Sequence, residues 1–330
     1  MVNILKKIEQ DGLKNFYLFY GRENYLINYY ANEIKKKFVN QDFVDMNFNI
    51  FNSDMDVSKI INCTKSLPFM SEYRLTLIKN SGWFETGKKD DVELFLENIN
   101  DFCDNAIIIF LEEKIDKRNK LYKKIMDIGF ILEVKSPSRK ELIKWIIKIC
   151  RASQKTITVE NAELILKNIG SDMYFIKNEL EKLISYKKDF WEITQSDINL
   201  LCSQNIETKI FDLILHMGNK NLKAALEDYN NLIFLKEQPF VILFMIARQF
   251  IFILQAKIFH ESGKDINSIA NLLSTRSFVI IDCLKQAKNF SRDILISGIK
   301  ECRNLDFKIK TGQILLDKLA VENLIIKYTV

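Results

Sequence analysis

Glycine and proline are scarce in this chain: 10 and 3 among 330 residues, under half the usual frequencies of about 7% and 5%. That scarcity argues against β-sandwiches and glycine-rich repeats and favours long helices. Histidine occurs only at His216 and His260, and the six cysteines (63, 103, 150, 202, 283 and 302) never come closer than 19 residues. With no C-x-x-C, a zinc ribbon, a thioredoxin-type centre or a metal hydrolase lacks raw material. Charge of one sign is lacking too: 48 basic against 43 acidic residues leave +5, far from a polycation. MVNILKKIEQDG at the amino terminus has no apolar h-region and no small-residue cleavage site, so no secretion signal is expected. The most lipid-like segment, 240–259, carries Arg248 and Gln249 at its centre. A central arginine costs about 2.5–3.5 kcal/mol on insertion scales, so this segment is expected to be a buried core helix. The expected location is the cytoplasm, with reduced thiols and no membrane partner.

Hydrophobic residues make up 48% and charged residues 28%, enough apolar surface for ordered folding, and the length suggests two or three domains. The first 135 residues alternate strand and helix signals. Phe16–Tyr20, Phe48–Phe51, Arg74–Lys79, Ala106–Leu111 and Phe130–Val134 are strand candidates, Arg74–Lys79 with the alternation of a half-buried strand. Between them lie helical stretches near 22–38, from Asp56 as N-cap, 90–98 and 117–128. Short strands separated by helices imply a parallel sheet covered on both faces. After Ser136-Pro137 the strand signals stop. Helices at 139–150, from Thr158, at 171–186 and after Trp191–Thr194 suggest a small helical domain over 137–205, and everything from Ile206 onward is helical. The expected fold class is α/β followed by all-α.

A strand ending in glycine and entering a helix is where a phosphate loop would sit. Laid from Gly21, the pattern G-x-x-x-x-G-K-[ST] falls on Leu26, Ile27 and Asn28, which offer neither the phosphate-binding lysine nor the Mg²⁺-ligating hydroxyl. The third strand ends in Lys79-Asn80 instead of a carboxylate pair. Glu112-Glu113 are read as charges solvating the end of a buried strand. No catalytic residue, cofactor or metal is expected, and measurable micromolar ATP affinity would contradict that.

Between the helix after Asp56 and the strand at Arg74 lies Ser66-Leu67-Pro68-Phe69-Met70-Ser71. Pro68 removes a donor and keeps Leu67 out of helical dihedrals. Such connections are normally polar, yet this one offers three large apolar side chains. Exposed, they form a patch whose burial in a partner recovers roughly 1.5–3 kcal/mol per side chain; alternatively Leu67 and Phe69 cap the sheet's own core. The residues alone leave both readings open.

FYLFYG followed by Glu23 and Leu26, then SLPFMSEYRLTLIKN, resembles the DNA polymerase III delta subunit family. So do AIIIFLEEKIDKRNKLYKKI, Gly170-Ser171-Asp172 with Asn178-Glu179-Leu180, and the Lys310-Thr311-Gly312-Gln313 turn, and the order spans the whole chain. The resemblance implies an AAA+-like α/β domain over 1–136 without a working nucleotide site, a three-helix lid over 137–205 and a helical collar over 206–330. It also implies a clamp-loader subunit, not catalytic by itself, within a nucleotidyltransferase holoenzyme. Its partners would be the sliding clamp (beta subunit), the motor (tau/gamma) and delta-prime subunits through the collar, and primer–template DNA non-specifically. The family's clamp-contacting wedge falls on Leu67, Phe69 and Met70, although Pro68 occupies a variable position. Its collar turn near the primer–template junction falls on Lys310 and Thr311, where Thr311 offers no aromatic face for base stacking.

A rival reading comes from Asp265–Ala287, which resembles a helix-turn-helix. A recognition helix needs polar residues near its N-terminus, whereas this one begins Phe278-Val279-Ile280-Ile281, read as bundle core. Lys35–Lys37 and Lys187–Lys188 are read as solvated faces, and Phe240, Phe244, Phe250 and Phe252 as core or subunit interface.

Overall fold

The computed structural model describes residues 4–53, 56–85, 89–188, 190–202 and 206–330. The chain divides into two compact units, Met1–Ser136 and Pro137–Val330.

In chain order the first unit runs α1 (Ile4–Asp11), β1 (Phe16–Gly21), α2 (Asn24–Phe38), a 3₁₀ turn at Gln41–Phe43, α3 (Val44–Asn47), β2 (Phe48–Asn52), α4 (Val57–Lys65), β3 (Arg74–Lys79), α5 (Lys89–Asn98), a 3₁₀ turn at Ile99–Asp101, β4 (Ala106–Glu112), α6 (Lys120–Ile128) and β5 (Phe130–Val134). The strands form one parallel sheet in the order β2-β3-β4-β1-β5, the AAA+-like arrangement. β1 is an inner strand, pairing Phe16 with Ile108 of β4 and Tyr17 with Phe130 of β5. Strands covered on both faces read as continuous apolar runs, as FYLFY and AIIIFL do. β3 departs from expectation: it is buried along Leu75–Ile78, Thr76 included, so its alternating letters conceal a strand covered on both sides. Phe16, Leu18, Tyr20, Phe84, Phe95 and Phe110 share one core. Asp56 caps α4 by accepting from Ser58 N–H, as the sequence suggests. The helix α1 and the segment 41–47 have no counterpart in the sequence expectations; each is too short for a periodic signal.

The second unit opens with α7 (Arg139–Ala152), α8 (Val159–Ile169) and α9 (Met173–Tyr186), followed by the seven-residue α10 (Gln195–Leu201). Ser138 and Glu141 form a reciprocal capping box on α7, and Thr158 caps α8. Leu142, Ile146, Ile165, Ile176, Leu180 and Ile198 are buried. Lys187 is not on a solvated face: its Nζ lies 2.7 Å from Asp197 Oδ2, and both side chains are nearly enclosed. Next come α11 (Ile206–Gly218), α12 (Leu222–Phe234), α13 (Pro239–Glu261), α14 (Ile266–Leu272), α15 (Ser277–Ala287), α16 (Arg292–Lys310) and α17 (Asp317–Thr329). The expected boundary at 205 falls on residues 203–205, outside the described residues. Ile214, Tyr229, Ile246, Phe250, Leu295, Val321 and Ile325 belong to one core.

α13 packs against α11, α15, α16 and α17. Among the described residues it is the one helix long and apolar enough to cross a membrane. Only one of its faces is buried, through Ile242, Leu243, Ile246, Phe250, Ile253 and Ala256, while Phe240, Phe244, Ile251 and Ile258 are exposed. The buried core helix read from the sequence is thus buried on one side only: Phe250 is core, while Phe240 and Phe244, read as core or subunit interface, face outward. On α15 only Ile280 of the Phe278–Ile281 run is fully buried, and Ile281 is exposed.

Candidate functional site

The carboxyl end of the sheet is where a phosphate-binding chemistry would assemble. Gly21 has φ +136°, and a Cβ there would stand 2.2 Å from the backbone oxygen of Val134. The close passage of β5 is sufficient by itself to require glycine here. Glu23 is buried at the head of α2, putting a carboxylate where a helix N-terminus would otherwise receive a phosphate. Leu26 and Ile27 point into the core.

Beyond β3 the chain turns through Asn80 (φ 48°) and Gly82 (φ 70°). Trp83 and Phe84 then bury themselves against Phe110, with ring centroids 6.1 and 5.2 Å away. Glu112 corrects the sequence reading, because it does not solvate the strand end. It is 5% exposed and accepts hydrogen bonds from Ser81 N–H (2.9 Å) and Ser81 Oγ (2.5 Å); Glu113 alone is exposed. Burial outweighs those hydrogen bonds and raises the Glu112 carboxyl above its ordinary value of 4.5. The folded chain therefore keeps a proton at pH values where the unfolded chain has released it, and this group's contribution to stability falls as pH rises through that window. Glu112→Gln, which retains an acceptor for Ser81, is expected to gain on the parent in urea-midpoint stability at pH 8, with the gain shrinking as pH falls toward 4.5. A gain identical at pH 5 and pH 8 would contradict the assignment.

The apolar loop lies at the other end of β3. Leu67, Phe69 and Met70 are 76%, 48% and 68% exposed, so they do not cap the sheet's own core. Their backbone is nevertheless firmly held. α4 ends with Ser66 N–H donating to the Cys63 carbonyl and Ser66 Oγ to that of Asn62. Asn47, fully buried at the end of α3, accepts from Phe69 N–H at 2.7 Å and donates to the Phe69 carbonyl at 2.6 Å. Asn40 donates to the Met70 carbonyl at 3.1 Å. Arg74 reaches the carbonyls of Met46 (2.6 Å) and Leu67 (3.4 Å). The Phe69 ring meets Phe43 edge to face, with centroids 5.8 Å apart. Met70 sits at φ 49°, a left-handed conformation uncommon for residues other than glycine.

Sequence reasoning found the three apolar residues and missed their supports, Asn40, Phe43, Asn47 and Arg74, together with Met46, which is 53% exposed on the same short helix. A four-residue helix has no period to detect, and an asparagine's backbone partners cannot be read from letters.

Lys310 and Thr311 are exposed at the end of α16. Lys310 pairs with Asp306 at 2.8 Å, and Thr311 Oγ1 donates to the Phe307 carbonyl at 2.8 Å. Both polar groups are engaged within their own helix. Lys35 is likewise only partly solvated, its ammonium 3.8 Å from the centre of the Phe48 ring. Among the described residues no cluster of three or more His, Cys, Asp or Glu could hold a metal.

Two family models match the chain. The DNA polymerase III delta subunit model covers residues 17–135, and the model of that subunit's C-terminal domain covers 207–328. DNA polymerase III subunit delta of Bacillus subtilis is 29% identical over 320 residues, covering 94% of this chain and 92% of that protein. A probable delta subunit of Aquifex aeolicus is 22% identical, covering 76% of this chain and 73% of the relative. The solved structure of the Bacillus subtilis DNA clamp loader delta protein superimposes with a TM-score of 0.82 at 28% identity, covering 99% of this chain and 98% of that one.

Proposed function

Because the chain belongs to the DNA polymerase III delta subunit family, the clamp-loader subunits of that polymerase, we propose that it binds the sliding clamp through Leu67, Phe69 and Met70 and opens the ring for loading onto primed DNA. One observation carries this reading: three large apolar side chains stand exposed on a loop whose backbone is tied down at Leu67, Phe69 and Met70. A floppy apolar loop would cover its side chains; a fixed one can present them.

Ring opening follows from differential affinity. A clamp shifts toward an open or strained form only if its partner binds that form more tightly than the closed one. The three side chains, entering an apolar pocket beside one ring interface, supply that preference without a chemical step. In this reading the subunit is not catalytic by itself and serves a holoenzyme that is a nucleotidyltransferase. Residues 137–205 act as the lid, and 206–330 as the collar that joins the motor and delta-prime subunits. Primer–template DNA is met non-specifically, with Lys310 and Thr311 as contacts near the junction, and the complex works in the cytoplasm. The carboxyl end of the sheet supports a subunit without nucleotide chemistry, since Glu23, Trp83 and Phe84 occupy it.

The test uses cognate clamp already closed around a nicked circular DNA. The chain alone, added in excess, is expected to release the clamp from the circle, as followed by gel filtration of labelled clamp. Clamp that remains on the circle despite saturating binding would refute ring opening, and an absence of binding would refute the whole reading.

A further inference from the structure

Asn47 holds Phe69 as a neighbouring strand would. A carboxamide carries the same donor–acceptor pair as a peptide group, and here both halves engage one residue: Oδ1 accepts from Phe69 N–H at 2.7 Å, and Nδ2 donates to the Phe69 carbonyl at 2.6 Å. The second Nδ2 hydrogen goes to the Phe43 carbonyl at 2.9 Å. Two carbonyls and one N–H converge on the amide, so its orientation is determined, and the side chain is 0% exposed. Next along the loop, Met70 is kept in its left-handed conformation while its carbonyl accepts from Asn40. No regular secondary structure supplies these bonds; a buried side chain substitutes for it.

We infer that Asn47 is the positioning residue of the loop, presetting it in the outward-facing, binding-competent form before any partner arrives. This rests on the reading of Leu67, Phe69 and Met70 as the clamp-binding wedge. The physical consequence lies in population. If only a fraction of molecules holds the competent form, apparent affinity falls by that fraction, and a loop ordered beforehand avoids the entropy loss of ordering on contact. Removing the carboxamide leaves all three apolar side chains in place and lowers the fraction that presents them. Asn47→Asp keeps the acceptor and the size but sets a carboxylate oxygen against the carbonyls of Phe69 and Phe43, so it too releases the loop.

The first measurement needs no variant. With phenylalanine-selective amide labelling of the free wild-type chain, Phe69 N–H is expected to exchange at least about tenfold more slowly than an unprotected amide. Exchange at the unprotected rate would overturn the inference. The second compares binding of Asn47→Asp and Asn47→Ala to the cognate sliding clamp, with circular dichroism to establish folding. Each folded variant is expected to bind about tenfold more weakly and to lose the slow exchange at Phe69. A folded Asn47→Asp chain with wild-type affinity, under conditions where Phe69→Ala with Met70→Ala no longer binds, would overturn the positioning role alone. If Phe69→Ala with Met70→Ala binds normally, the wedge reading itself fails and takes this inference with it.

Discussion

Replacing Phe69 and Met70 together by alanine is expected to weaken binding to the cognate sliding clamp about 1,000-fold or more while leaving the chain folded. A large apolar anchor seated in a partner's pocket contributes about 2 kcal/mol or more on truncation. Two such losses sum to about 4 kcal/mol, and each 1.4 kcal/mol is a factor of about ten. The folded state loses little, because Phe69 is already about half exposed and Met70 mostly so. Among the internal contacts forfeited is the Phe69–Phe43 ring pair, worth about 0.5–1.5 kcal/mol. The backbone bonds to Asn47 and Asn40 survive the substitution, since they engage main-chain groups. Titration by surface-bound clamp, with a parallel thermal melt, checks both halves. A dissociation constant within threefold of the parent would remove these residues from the interface.

Gly21→Ala is expected to have the largest effect on stability, about 3 kcal/mol against the first unit and a fall of about 10 °C in its melting temperature. Two costs combine. The backbone at φ +136° suits glycine and strains any residue with a Cβ. The added methyl also meets the Val134 oxygen at 2.2 Å, and backbone on both sides leaves no flexible side chain to yield. Gly21 pairs with Val134 at the end of the β1–β5 ladder, so relief of the clash has to come from opening that ladder. Unfolding followed by tryptophan fluorescence reports on this unit through buried Trp83 once Trp145 and Trp191 of the second unit are replaced by phenylalanine in both chains compared. A melting temperature within 3 °C of the parent would mean that β5 can move aside without loss.

Gly21 also illustrates what could be read from the letters. A glycine after a buried strand and before a helix marks the turn correctly, and the lysine and hydroxyl of a phosphate loop are missing from the positions downstream. The glycine's actual reason, the passage of Val134 113 residues later in sequence, is a long-range fact that no local pattern contains. Glu112 failed for the same cause: a carboxylate at a strand end looks solvated until the partner that enfolds it, Ser81 at the end of a neighbouring strand, is known. The sheet itself was legible because strands covered on both sides must be continuously apolar. β3 reads as half-buried in its letters because Thr76, 1% exposed, breaks its run with a polar residue. Of the apolar loop, the residues that project were visible in composition, and those that hold it were not.

The strand order has a consequence for how the chain comes off the ribosome. β1 is made first yet lies between the fourth and fifth strands, so one edge stays open until β4 ends at Glu112 and the other until β5 ends at Val134, more than a hundred residues on. Loop closure over such separations is slow, and unpaired apolar strands invite wrong pairing meanwhile. FYLFY is thus a nascent segment that waits for β4 and then β5. Substitutions that retard translation before Val134 should lengthen its dependence on chaperones, whereas the helices that follow can form from near neighbours as they emerge.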